Sequence, residues 1–434
     1  MEFKKICVLG LGYIGLPTAS TFATNGIQVI GVDVNLQVVE TLRSGKPHIF
    51  EPGLRTLVQA ALGSGNLVIS DHPEPADGFI IAVPTPFYAD KRADLRFVIS
   101  AAEAIVPHLR PGNLVVLEST SPPRTTLDIV APILERSGLK VGPDIHLAYS
   151  PERVLPGQIL RELTENARVI GGIDRSSAQA GNDLYTLFVR GEIIQTDATT
   201  AEMVKLMENT YRDVNIAIAN EFARLADRFG VDVWEAISLA NRHPRVNILR
   251  PGPGVGGHCI SVDPWFLVEA APDITPLIHT ARKVNDAQPH FVVGLVQRLL
   301  GVSSQAGLSK KRVAVLGLGY KPDVDDFRES PALEVACLLS KAGANVRAYD
   351  PYQAENHSLG LPTMSSLEEA LAEAELILLL VNHTLLRTLD PLQIAALTPA
   401  RLVLDAVNAW PVEAWSAAGF EIHRLGASTA RPLS

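Results

Sequence analysis

Short apolar runs, each closed by glycine, proline or an acidic residue, punctuate the first part of the chain. They lie at Ile6 to Gly10, Val29 to Val32, Gly78 to Val83, Leu114 to Glu118 and His146 to Tyr149. Their length and uninterrupted apolar character predict buried strands of a parallel sheet, with a helix-compatible stretch between the first two. A different pattern follows. Thr199-x-x-Glu202 has the form of a capping box, and no proline or glycine interrupts the chain before Gly230. This predicts a helix of roughly thirty residues, far above the usual length. Lys205, Asn209 and Arg212 stand at i, i+4 and i+7 and share one face. The remainder of the helix is largely apolar (Val204, Leu206, Met207, Val214, Ile216, Ile218), so these three residues border a pocket or an interface. A helix of this kind joins two domains and supplies a dimer surface.

The turn after the first run reads G-L-G-Y-I-G, with Gly10, Gly12 and Gly15 spaced G-x-G-x-x-G, and the second run ends on Asp33. This order matches the demands of a dinucleotide site. Gly10 makes the tight turn, Gly12 admits the pyrophosphate, and Gly15 lets the helix pack on the strand. Asp33 stands where a carboxylate holds the adenosine ribose, which favours NAD over NADP. Ligands of doubly wound sheets lie at the carboxyl ends of strands. Thr85 and Thr120 are therefore candidates for the nicotinamide side, and Glu152 and Arg153 for another strand end. Val315 to Tyr320 repeats Val8 to Tyr13 letter for letter, and a second apolar run follows at Ala344 to Asp350. The position matching Gly15 is Pro322, and Lys321 to Pro331 lengthen the turn. The repeat predicts a second unit of the same kind, rebuilt for a different nucleotide, with Lys321 and Arg328 as charge partners. The expected fold is thus α/β, with two Rossmann-like domains joined by a long central helix. The expected divisions are 1–195 for the NAD domain, 196–300 for the central helical, dimerisation and catalytic-loop domain, and 301–434 for the second nucleotide domain.

Between the long helix and the repeat lies R-P-G-P-G-V-G-G-H-C-I-S-V-D-P-W, from Arg250 to Trp265. Gly252, Gly254, Gly256 and Gly257 let the backbone lie close to a ligand. Cys259 is a candidate nucleophile, activated by Asp263 or by a residue from elsewhere rather than by the adjacent His258. Composition narrows the class. A chain of 434 residues with 20% charged and 47% hydrophobic positions suits a globular protein of two or three domains. A net charge of −9 argues against nucleic acid or an anionic membrane as partner. Three cysteines suit a reducing cytoplasm, and the immediate first strand leaves no room for a signal peptide. The most apolar run, Leu376 to Val381, is too short to span a bilayer.

These motifs together resemble the nucleotide-sugar 6-dehydrogenases, the group that contains the UDP-glucose and GDP-mannose dehydrogenases. The similarity rests on G-L-G-Y-I-G-L-P, S-P-E-R, G-P-G-V-G-G-H-C-I-x-V-D-P-W and G-x-x-x-K-P-D-x-D-D-x-R-E-S-P, and so covers nearly the whole chain. It implies NAD-dependent oxidation of a sugar C6 alcohol to a carboxylate through a thiohemiacetal and a thioester on Cys259, with no metal. Lys205, beside Asn209, is implied to stabilise oxyanion charge. Asp263, Glu152 and Thr120 are implied to serve the hydrolytic water. By the same matching Tyr13, Ile14, Asp33, Thr85, Thr120 and Arg328 contact NAD. Arg153, Val154, Lys205, Asn209, Arg212, His243, Arg245, Gly256 and Lys321 contact the UDP-sugar, with His243 and Arg245 acting across a dimer interface. S-P-E-R-V-L-P-G and A-N-R-H-P-R-V-N-I-L-x-P-G-P-G point to the subgroup acting on UDP-N-acetyl-D-mannosamine, with UDP-GlcNAc and UDP-glucose as alternatives. The chain departs from many relatives at Asn35-Leu36-Gln37 and at Val403 to Trp410, where a basic residue is common.

Overall fold

The structure is a computed structural model that describes residues 1–155, 157–257, 259–302, 307–353 and 359–427. Two sheets organise it, one of eight strands and one of five. The first contains β1 (Lys5–Leu9), β2 (Gln28–Val32), β3 (Leu67–Ser70), β4 (Gly78–Ile81), β5 (Leu114–Leu117), β6 (His146–Tyr149), β7 (Arg168–Gly172) and β8 (Ile193–Asp197), in the order β3-β2-β1-β4-β5-β6-β7-β8. The first six strands are parallel in the Rossmann order, and the sheet is buried on both faces, as the apolar runs predict. One face packs Ile6, Val8, Val29 and Leu114 against Leu16, Ala19 and Phe22 of the helix Gly15–Thr24. The other buries Cys7, Leu9, Ile30 and Phe79. Burial pushes the Cys7 thiol up to about 12, leaving it protonated and inert. The sheet then reverses: β7 runs antiparallel to β6, and β8 follows β7 in parallel.

The second sheet contains β9 (Arg312–Leu316), β10 (Asn345–Tyr349), β11 (Leu376–Leu379), β12 (Leu402–Asp405) and β13 (Glu421–Arg424). Its order is β10-β9-β11-β12-β13, all parallel, the other common doubly wound arrangement. The repeat in the sequence therefore corresponds to a second Rossmann-like sheet.

Between the sheets in sequence runs the long helix, Ala198–Phe229, 32 residues. Its start differs from the capping box expected at Thr199 and Glu202. Asp197 caps it instead, accepting from Thr200 N–H at 2.9 Å. Glu202 is fully buried and turned away, accepting from Thr126 N–H at 2.8 Å, Thr126 Oγ at 2.6 Å and Arg124 N–H. A long-range contact thus took the carboxylate that local spacing assigned to the cap.

The chain forms two compact units. The first is Met1–Glu208 with Trp265–Pro272, and the second is Asn209–Pro264 with Asp273–Ser434.

Candidate active site

In the first unit the glycine turn has the form a dinucleotide needs. Gly10 adopts φ +90°, and its N–H bonds Val32 O at 2.8 Å. A Cβ on Gly10 would lie 2.6 Å from Ala82 O, and one on Gly15 only 1.8 Å from Gly10 O. A Cβ on Gly12 would meet nothing within 4 Å. Gly10 and Gly15 are thus required by the protein's own packing, while Gly12 leaves an open cradle. The helix Gly15–Thr24 begins there with no acidic residue in its first turn and no side-chain cap, which suits a pyrophosphate at its positive end. Asp33 Oδ2 accepts from Leu11 N–H at 3.0 Å and Oδ1 from Asn35 N–H at 2.9 Å. The carboxylate is thereby fixed beside the glycine turn, half-buried, as a ribose ligand must be. Asn35 caps the next helix, its side chain accepting from Gln37 N–H at 3.0 Å.

Thr85 and Thr120 follow the ends of β4 and β5, both half-buried. Ser119 Oγ ties these two ends together by donating to Val83 O at 2.7 Å. Glu152 follows β6, nearly buried; its Oε1 accepts from Arg153 N–H at 2.8 Å and its Oε2 from Arg168. Arg153 forks to Glu208 at 2.8 Å and to Ala167 O. Lys205 lies on the long helix at 8% exposure, with no ion pair among the described residues. A buried ammonium without a carboxylate is suited to an anionic ligand or intermediate.

In the second unit, Cys259 is exposed on a turn whose carbonyl accepts from Val262 N–H at 3.0 Å and Asp263 N–H at 2.8 Å. Asp263 opens the helix Asp263–Ala270, is 2% exposed, and accepts from Asn209 Nδ2 at 2.5 Å. Asn209 and Asp263, far apart in sequence, are therefore brought together. His258 lies outside the described residues. The glycines before Cys259 serve the protein's own packing more than the sequence suggests. A Cβ on Gly254 would lie 2.8 Å from Pro331, one on Gly256 2.5 Å from Glu329 O, and one on Gly257 2.8 Å from the Tyr320 ring. The cysteine loop is thus seated on the rebuilt turn of the second sheet, and only Gly252 faces open space.

That rebuilt turn also explains why the repeat is not a second dinucleotide site. Asp350 matches Asp33 in position and accepts from Leu318 N–H at 2.7 Å and Gly319 N–H at 3.0 Å. His383, fully buried, covers it: Nδ1 accepts from Asp323 N–H at 2.9 Å, so Nε2 carries the proton and donates to Asp350 at 3.0 Å. Burial pushes the Asp350 carboxyl up, but His383 and the backbone N–H groups outweigh it and hold it below its ordinary value. A ribose has no access to a carboxylate sealed in this way. Lys321 is half-buried in the same turn, and Arg328 is exposed and forks onto Asp326 at 2.7 and 2.9 Å.

Arg212, His243 and Arg245 are exposed. Close to the last two in sequence is a groove of about 620 Å³, lined in part by Trp234, Arg242, Asn247, Arg250 and Asn408. Sequence reasoning missed these lining residues. Asn408, in the stretch without a base, adopts φ +52° and accepts from Arg424 Nη1 at 3.1 Å, so a basic group does stand beside it.

Three segments match the UDP-glucose/GDP-mannose dehydrogenase family: its NAD binding domain over residues 4–189, its central domain over 199–287 and its UDP binding domain over 314–411. The chain belongs to this family. It is an NAD-dependent nucleotide-sugar dehydrogenase. The chain is 46% identical over 432 residues to a UDP-N-acetyl-D-mannosamine dehydrogenase of Methanococcus maripaludis, covering 98% of this chain and 97% of that one. It is 48% identical over 419 residues to an NDP-N-acetyl-D-galactosaminuronic acid dehydrogenase of Ralstonia solanacearum, covering 94% and 97%. Among solved structures, a UDP-D-ManNAc dehydrogenase from Pyrococcus horikoshii aligns with a TM-score of 0.89 at 40% identity, covering 99% of this chain and all of that one. The open cradle at Gly12 and the fixed Asp33 fit the cofactor of this family. The UDP binding domain of the dehydrogenase coincides with the sheet in which His383 covers Asp350. Within the described residues of the dehydrogenase, no helix is long and apolar enough to cross a membrane.

Proposed function

We propose that the dehydrogenase oxidises UDP-N-acetyl-D-mannosamine at C6 to UDP-N-acetyl-D-mannosaminuronate, a four-electron reaction through a thioester on Cys259. The observation that carries the chemistry is the exposed Cys259 thiol, on a turn bonded to the start of a helix where Asn209 holds the buried Asp263 carboxylate. The sugar follows the names of the Methanococcus and Pyrococcus relatives. NAD, held by the Gly10–Gly15 turn and Asp33 with Tyr13, Ile14, Thr85, Thr120 and Arg328, supplies the hydride acceptor for both oxidations. An aldehyde has no hydride to give until a nucleophile adds. The Cys259 sulfur forms the bond to the aldehyde carbon, and the carbonyl oxygen takes the electron pair. The Lys205 ammonium, with Asn209, stabilises that oxyanion. Thr120, Glu152 and Asp263 hold and deprotonate the water that later displaces the sulfur. Arg153, Val154, Arg212, His243, Arg245, Gly256 and Lys321 bind the nucleotide sugar, Arg153 and Arg245 serving the acetamido oxygen or the sugar hydroxyls.

NADH formation from a panel of UDP-sugars tests this reading. Two NADH per UDP-N-acetyl-D-mannosamine, with the highest kcat/KM in the panel, is the expected result. One NADH per sugar would overturn the thioester. A preference for the N-acetylgalactosamine nucleotide, which the Ralstonia relative favours as a second reading, would move the sugar and leave the chemistry standing.

We further propose that the protein acts in the cytoplasm as a homodimer or a higher assembly built on dimers. Tyr211, Ile218, Phe222, Leu225 and Phe229 are exposed on the long helix at spacings of seven, four, three and four, a stripe that a second copy would cover. The expected result in sedimentation is a dimer or larger species. Phe222→Glu with Phe229→Glu should release monomer, and a wild-type monomer at micromolar concentration would overturn the assignment.

A further inference from the structure

A buried cluster of charged side chains in the first unit lies just behind the strand ends that carry Thr120 and Glu152. Arg168 opens β7, and its side chain is 4% exposed. Its Nη1 donates to Glu118 Oε1 at 3.1 Å and to Ser150 Oγ at 2.9 Å, and its Nη2 donates to Glu152 Oε2. The Glu118 side chain is 0% exposed and that of Glu152 9%. Tyr185 completes the cluster, donating to Glu118 Oε1 at 2.6 Å with its ring centroid 4.1 Å from the guanidinium carbon. One cation therefore serves two carboxylates in a site almost without water.

The reversal of the sheet creates this arrangement. The β6–β7 register pairs Ala148 with Gly172 and Tyr149 with Gly171. Continued three steps, the same antiparallel register sets Glu152 opposite Arg168. A parallel β7 would have carried Arg168 to the far end of the sheet. Glu118 is the first residue after β5 and Glu152 the third after β6, so Arg168 ties together two adjacent strand ends.

We infer that Arg168 is a positioning residue for hydrolysis of the covalent intermediate: its guanidinium fixes and orients the Glu152 carboxylate, with Glu118 and Tyr185 holding the guanidinium in place. This rests on the proposed role of Glu152 in activating water. Geometry supports it first. Glu152 Oε2 is bound by Arg168 and Oε1 by Arg153 N–H, so both oxygens have fixed directions. Charge supports it as well. Burial works against the Arg168 cation, but Glu152, Tyr185 and Glu118 outweigh it and raise its pKa further. Burial pushes the Glu118 carboxyl up, and its Oε2 has no hydrogen-bond partner among the described residues.

Removing Arg168 alone would strand two carboxylates and risk unfolding. The test therefore uses Arg168→Met combined with Glu118→Gln, which removes one cation and one anion together. With UDP-N-acetyl-D-mannosamine and NAD, this double variant should show a normal initial burst of NADH and accumulate a sugar adduct on Cys259, seen in the intact mass. Its steady-state rate should fall on the order of 100-fold, the scale of losing a general base, with KM values little changed. Glu152→Gln should accumulate the same adduct, and adding Glu152→Gln to the double variant should slow it no further. Glu118→Gln alone, in which Arg168 still reaches Glu152, should accumulate far less adduct than the double variant. A purely structural staple would lower the melting temperature and the burst alike, without accumulation. If Glu152→Gln accumulates adduct and the double variant does not, the inference about Arg168 is overturned. If Glu152→Gln accumulates none, the hydrolytic role of Glu152 falls, and the inference built on it falls with it.

Discussion

Serine in place of Cys259 is expected to stop the dehydrogenase before the acid forms, while both ligands still bind. The substitution changes one atom and spares the local scaffold. The hydrogen bonds from Val262 N–H and Asp263 N–H, which tie the turn to the helix start, go to the backbone carbonyl of residue 259. Asp263 should therefore stay buried and bonded to Asn209. What changes is the nucleophile. A thiol ionises near neutral pH and an alcohol does not, so addition to the aldehyde loses its reactive anion. An oxygen ester is also less readily hydrolysed than a thioester. Overall turnover should fall by at least about 10³-fold, given the far larger losses seen when a catalytic nucleophile is removed. Cys7 cannot substitute, because it is buried with its thiol held up at about 12. Calorimetry should give unchanged affinities for NAD and the UDP-sugar, and NADH release should be measured over many turnovers. Sustained release of two NADH per sugar by Cys259→Ser would remove the thioester from the mechanism.

The parts of the fold legible in sequence are those set by neighbours along the chain. Buried parallel strands read as unbroken apolar runs, and the first turn shows its glycines and Asp33 within one βαβ unit. The long helix was visible because nothing breaks it. Elements decided by distant residues were hidden or misread. Glu202 looked like half of a capping box until Thr126, 76 positions away, took its carboxylate. The glycines before Cys259 looked like room for a ligand, yet three of them make room for Tyr320 and the Glu329–Pro331 segment. Asp350 ends the second apolar run of the repeat as Asp33 ends that of the first unit, and nothing nearby in sequence announces that His383 seals it. Arg168 reads locally as the edge of another apolar run. Its meaning depends on an antiparallel pairing that the apolar pattern of β7 does not encode, because parallel and antiparallel buried strands look alike in sequence.

The glycine turn offers a substitution that separates a cofactor cradle from a scaffold. Gly12→Ala should leave the protein folded and nearly abolish NAD binding. The added methyl meets nothing within 4 Å, and Gly12 is not among the residues at positive φ, so alanine introduces neither clash nor strain. Loss of backbone freedom in the unfolded chain should even raise stability slightly, by up to about 1 kcal/mol. The same methyl occupies the space through which the pyrophosphate must approach the backbone. Losing that approach should raise the Kd for NAD by on the order of 100-fold, or about 2.7 kcal/mol. Gly15→Ala provides the contrast. Its methyl would lie 1.8 Å from Gly10 O, and Gly10 cannot retreat, because it is held at φ +90° with its N–H on Val32 O and Ala82 O against its α-carbon. Turn and helix must then part, so Gly15→Ala should lower the melting temperature as well as lose NAD. Melting curves with and without NAD distinguish the two variants. Gly12→Ala should melt with the wild type in buffer and gain nothing from NAD, whereas Gly15→Ala should melt early in both conditions. Wild-type NAD affinity in Gly12→Ala would mean that the phosphates do not pass over Gly12. The open space there would then need another explanation than the cofactor.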